Sequence, residues 1–69
     1  MNVNKLKAKC VERGINIDTL SKNVGIDRGT FYRKLNNDGF SVEDAVKISD
    51  NLELTNVEIL SIFFEKSVA

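Results

Sequence analysis

Apolar residues recur along the chain at steps of three and four, the spacing that lines one face of a helix. Residues 2–13 place Val3, Leu6 and Cys10 on such a stripe, with Val11 beside it, and Gly14 predicts the stop. Asn16 predicts the N-cap of a second helix over 17–24, with Asp18 in its first turn, where the helix dipole favours a negative charge. Its inward face is Ile17, Leu20, Ser21 and Val24, and Gly25 ends it. Asp27 caps a third helix running from Arg28 to about Leu35, and Asn36-Asn37-Asp38-Gly39 is turn chemistry throughout. Ser41 caps a fourth helix with Val42, Ala45, Val46, Ile48 and Leu52 as its apolar positions. Thr55-Asn56-Val57-Glu58 has the spacing of a capping box and opens a fifth helix, which carries Val57, Ile59, Leu60, Ile62, Phe63 and Phe64. Helices this short are marginal in water alone, so their apolar faces need each other. The expectation is one compact all-α domain of five helices over residues 1–69.

Composition narrows the function classes. Sixty-nine residues leave room for one core, and a hydrophobic share of 42% is ordinary for a globular chain, so disorder is not expected. No run approaches the ~18 apolar residues of a membrane span, and the N-terminus lacks the apolar stretch of a signal peptide. Cys10 is alone, which rules out an internal disulfide and suits a reducing cytoplasm. With no histidine there is no imidazole base for a Ser-His or Cys-His nucleophile, and one cysteine cannot assemble a structural zinc site. A helical domain this small has little volume for a substrate pocket. No catalytic or metal-binding residue is assigned, no cofactor is expected, and Glu43, Asp44 and Glu58 read as helix-start charges. Cys10 reads as a small buried hydrophobe.

Charge sharpens the picture because it is uneven. The chain is neutral overall, yet residues 1–34 hold eight basic and three acidic side chains, and residues 35–69 hold two and seven. Such a dipole can turn a positive face to phosphate and a negative face away from it. Equally, both sets can be solvated surface.

The most informative segment is residues 17–36, IDTLSKNVGIDRGTFYRKLN. Two helices of about eight residues joined by a glycine-containing turn form a helix-turn-helix. Gly25 can take the positive φ of a sharp inter-helix turn. Ser21 is small where the helices cross, and Leu20, Val24, Ile26 and Phe31 can lock the pair at a fixed angle. Here the chain resembles the lambda-repressor-like family, the Cro/XRE-type helix-turn-helix regulators of phages and mobile elements. The resemblance covers nearly the whole chain. It lies in the five-helix layout, the Leu20-Ser21…Val24-Gly25-Ile26…Phe31 pattern and the order of motif, Gly/Asn-rich loop and two closing helices. Residues 30–36 and the Ile62-Phe63-Phe64 tail look like small phage-encoded members.

The resemblance implies a regulator that binds a double-stranded DNA operator with helix three, about residues 28–35, in the major groove. Matched onto this chain, the groove-facing positions are Asp27, Arg28, Gly29, Tyr32 and Arg33. Base contacts fall to Arg28 and Arg33, whose guanidinium forks fit the O6/N7 edge of guanine, and to Tyr32, which can meet a thymine methyl or a phosphate. Phosphate contacts fall to Asn16, Thr19 and Lys22 around the second helix and to Lys34, Asn36 and Asn37 behind the third. Lys5 and Lys9 are more remote candidates. A cytoplasmic homodimer acting as a repressor is implied, without a small-molecule ligand. Three positions depart from the family pattern. Gly29 replaces a base-reading side chain, Asp27 puts a carboxylate near phosphate, and Lys34 stands where an apolar residue is usual. With Leu35 next, that last departure predicts a third helix slightly rotated or ending early.

Phe63 and Phe64 point about 100° apart on a helix, so one can fill the core while the other faces outward. They are the candidate dimer interface; packing of both inside the same molecule is the alternative. A different class of function uses the same fold: a protein-interaction module, an antirepressor or adaptor, to which the acidic second half and apolar tail are suited.

Overall fold

The computed structural model describes residues 1–37 and 39–64. Among these it has five helices, α1 (Val3–Glu12), α2 (Ile17–Asn23), α3 (Arg28–Asn36), α4 (Val42–Leu52) and α5 (Asn56–Phe63), and no strand. The fold is all-α. Asp38, expected in the turn after α3, lies outside the described residues.

Each helix starts on a side chain that accepts from otherwise unpaired backbone N–H groups. Asn16 accepts from Thr19 N, and Asp27 accepts from Gly29 N and Thr30 N. Ser41 with Asp44 and Thr55 with Glu58 form reciprocal capping boxes. Asn2, which the sequence reading did not single out, does the same for α1 through Lys5 N. The ends of α1 and α2 are alike. Gly14 and Gly25 take φ of 72° and 74°, and the following N–H reaches back into the last turn, Ile15 N to Cys10 O and Ile26 N to Ser21 O. This is the Schellman stop that a left-handed residue permits. α4 closes with the same pair of bonds around Glu53, whose φ of 53° makes it the non-glycine residue held left-handed among those described. Arg13 steadies that turn: Nε donates to Leu52 O at 2.9 Å and Nη2 to Glu53 O at 3.2 Å.

The core draws on every helix: Leu6 and Cys10 from α1, Leu20 from α2 with Val24 at its C-cap, Phe31 and Leu35 from α3, Ile48 and Leu52 from α4, and Ile62 from α5. Phe31 is fully enclosed and meets Phe40 edge-on, with ring centroids 4.9 Å apart. Phe40, Ile15 and Leu54 lie in connections, where no periodicity assigns them inward, yet they pack against this core. Burial raises the pKa of the Cys10 thiol.

Several expectations change. α3 neither stops early nor loses its inward face at Lys34, because Phe31 and Leu35 at i and i+4 both reach the interior and the helix runs on to Asn36. Val11 is exposed, one position round the helix from Cys10. In α4 and α5 the apolar residues divide. Ala45, Ile48, Leu52 and Ile62 are buried, whereas Val42, Val46, Val57, Leu60 and Phe64 are exposed. α5 is tied to α1, through Asn2 N to Ile62 O, Lys5 Nζ to Ser61 Oγ, and an ion pair between Lys9 and Glu58. Between α4 and α5 runs a groove lined by apolar Val42, Val46, Ile59 and Phe64, with Ser49 and Asp50 also on its wall. Among the described residues, no helix is long and apolar enough to cross a membrane.

Candidate nucleic-acid interface

The α2–α3 unit is packed from behind. Ser21 is buried at the back of α2, and its hydroxyl donates to Asp18 O at 2.7 Å, so it adds no unsatisfied group to the core. Leu20, Val24, Phe31 and Leu35 fix the two helices against each other. Away from these contacts α3 leaves Arg28, Gly29, Tyr32, Arg33 and Asn36 exposed.

Asp27 is accounted for as a cap: its Oδ2 accepts from Gly29 N at 3.1 Å and Thr30 N at 3.4 Å, placing a negative charge where the dipole of α3 favours one. Gly29 has no conformational reason to be glycine. Its backbone is helical, and an added Cβ would meet Asp27 Oδ2 at 3.4 Å and no other atom closely.

The predicted cations divide into engaged and available. Lys34 Nζ lies 2.8 Å from Asp44 Oδ2 and ties the end of α3 to the start of α4. That ammonium, followed by the Ser41 N–H, lowers the Asp44 pKa. Lys9 is held by Glu58 and Glu12, which raise its pKa, the Glu58 contact contributing most. In return Glu58 falls from 4.5 to about 2, chiefly through the Lys9 ammonium and then the Thr55 N–H. Two cations of the basic half are thus spent on carboxylates of the acidic half, and the charge asymmetry is partly a set of clasps. Lys22 and Arg33 are exposed and have no ion-pair partner among the described residues.

Arg28 is a third case. Its Nε lies 2.9 Å from Asp18 Oδ1 on α2, and its guanidinium carbon is 5.8 Å from the centre of the Tyr32 ring one turn further along α3. The Arg28 side chain nonetheless remains 70% exposed. An exposed pair of this kind contributes only about 0–1 kcal/mol to stability, so its main consequence is where it holds the arginine. From the sequence alone Asp18 reads only as a helix-start charge. The available signal was opposite charge in the first turns of two consecutive helices.

The remaining predicted positions sit around this face. Asn16 spends its side-chain oxygen on the α2 cap, and its amide NH2 has no partner among the described residues. Thr19 is exposed on α2. Asn36 is the last residue of α3 rather than a loop residue, and Asn37 is its C-cap. Phe63 packs against the core and Phe64 is 58% exposed, so the two diverge as adjacent helical positions must.

A capped two-helix unit with a left-handed glycine in its turn, locked from behind and polar in front, is the architecture of a helix-turn-helix. A family model for the Cro/C1-type HTH DNA-binding domain matches residues 5–65, nearly the whole chain. The chain belongs to that family, a class of DNA-binding regulators. No curated protein and no solved structure matches it significantly.

Proposed function

We propose that the chain is a transcriptional regulator of phage or mobile-element type that binds operator DNA as a homodimer and represses by occupying a promoter. The observation that carries this reading is that α3 leaves Arg28, Tyr32 and Arg33 exposed while Phe31 and Leu35 are buried. α3 enters the major groove, the two arginines read guanine edges, and Tyr32 meets a phosphate or a thymine methyl. Asn16, Thr19, Lys22, Asn36 and Asn37 take phosphates. Lys34, occupied by Asp44, anchors α3 in place of reaching the backbone. Residues 1–69 act as one domain, and no small-molecule ligand is needed.

The apolar groove between α4 and α5 supports the dimer, since homodimer seams are more apolar than ordinary surface. Phe64 is the exposed aromatic side chain lining it, while Phe63, the other candidate, packs against the core. Two recognition helices related by a two-fold axis then meet half-sites about 34 Å apart, one turn of duplex.

A mobility-shift titration against DNA from the protein's own promoter region, at two salt concentrations, tests the reading. Sequence-dependent binding that weakens with salt is expected; no binding at the lower salt would overturn it. Sedimentation should show a dimer for the wild type and a monomer for Phe64→Ser. The same groove favours a second reading, in which it holds a different protein and the chain works as an antirepressor or adaptor. Partner capture lost on Phe64→Ser, with no duplex bound, would select that reading.

A further inference from the structure

If α3 reads bases as proposed, the Asp18–Arg28–Tyr32 cluster bears on how selectively it does so. An arginine in the first turn of a groove-facing helix has two kinds of target. It can fork onto a guanine edge, which is specific, or reach a neighbouring phosphate, which carries no sequence information. An unrestrained arginine has both open to it.

Arg28 is restrained. Its Nε is paired with Asp18 Oδ1 at 2.9 Å across the α2–α3 angle, and the Tyr32 ring flanks the guanidinium at 5.8 Å. Asp18 Oδ1 is shut off from water and accepts no hydrogen bond, so Arg28 is its counter-charge among the described residues. The two Nη groups of Arg28 have no partner among those residues, and together they keep four N–H donors. A carboxylate on Nε therefore leaves the end of the fork for a ligand that accepts at two adjacent atoms, which is what guanine O6 and N7 present.

We propose that Asp18 is a specificity-determining positioning residue. It holds Arg28 by Nε, reserves both Nη groups for guanine, and by its charge keeps the arginine from settling on phosphate. Asp18 gives up general affinity in exchange for base discrimination. Asp18→Asn keeps the size of the side chain and removes the charge, which makes it the direct test.

The probes are a duplex enriched by the wild type from a random-sequence pool and the same duplex with each G·C pair changed singly to A·T. The expected result is a loss of about tenfold in discrimination at one G·C position for Asp18→Asn. Binding to the substituted duplexes should become tighter, with a salt dependence steeper by about one phosphate contact. By NMR, the Arg28 Nε resonance should shift between the free wild type and Asp18→Asn, which a purely structural role elsewhere in α2 would not produce. Unchanged discrimination and salt dependence in a variant that still binds would overturn this role for Asp18 alone. If the wild type enriches no duplex, the DNA-regulator reading falls and this inference falls with it.

Discussion

The two halves of the molecule treat their apolar residues differently. On α2 and α3, Leu20, Val24, Phe31 and Leu35 are all buried, and the outward side is left to charged and polar groups and one tyrosine. On α4 and α5 the apolar content exceeds what the core takes up, and Val42, Val46, Val57, Leu60 and Phe64 are each more than half exposed. The first surface offers hydrogen-bond donors and positive charge; the second offers apolar area. On the function proposed above, the first surface meets nucleic acid and the second a protein.

The sharpest way to break this contrast is to truncate one phenylalanine on each side. Phe31→Ala should cost about 3–5 kcal/mol, enough to unfold much of a domain this small. Phe64→Ala should change monomer stability by no more than about 0.5 kcal/mol. Denaturant titration at low protein concentration compares them. Similar losses would place Phe64 in the core and remove the case for an interface there.

Acid should act on the clasps that join the halves. Glu58 and Asp44 both have carboxyls held below their ordinary pKa, Glu58 at about 2 against 4.5. A carboxylate lowered by folding gives stability that is complete above its unfolded pKa and is lost as pH falls through the folded one. The thermal midpoint of the wild type should therefore decline as pH drops from about 4.5 toward 2. Glu58→Gln should begin lower at neutral pH and decline less. Parallel curves for the two proteins would show that the Lys9–Glu58 pair has no part in the acid response.

The smallest effect expected is also the most informative about α3. Alanine fits at Gly29 and suits a helix better, so Gly29→Ala should raise stability by about 0.5–1 kcal/mol. If glycine is there to let DNA approach the backbone, the same variant should bind duplex more weakly. Thermal melting and a binding titration on one preparation give both numbers. A variant both more stable and equally tight on DNA would mean that nothing approaches α3 at that point.

What could be read from the sequence was what is local. Asn16, Asp27, Ser41 and Thr55 cap their helices through bonds spanning two or three residues, and Gly14 and Gly25 act within one turn. Phe31 and Leu35 follow from spacing on one helix. Contacts between distant segments were not legible: Arg13 on Leu52 O spans 39 residues, and no periodic signal announces it. Phe40 sits in a loop and still meets Phe31. Apolar spacing also could not tell which face of α4 and α5 would be covered, since both faces carry apolar residues. At the candidate site, the residue types were legible and their engagement was not. Lys34 and Arg28 look equally free in the sequence, and each is held by an aspartate contributed by another helix.

The claim beneath the account is that the outer face of α3 reads base pairs. Affinities of wild type, Arg33→Ala and Lys22→Ala, measured on the preferred duplex and its single-pair variants, test it most directly. Arg33→Ala should lose about 1–3 kcal/mol, confined to one base-pair position, while Lys22→Ala should weaken every duplex alike and flatten the salt dependence. Equal affinity of wild type and Arg33→Ala for every duplex would contradict it.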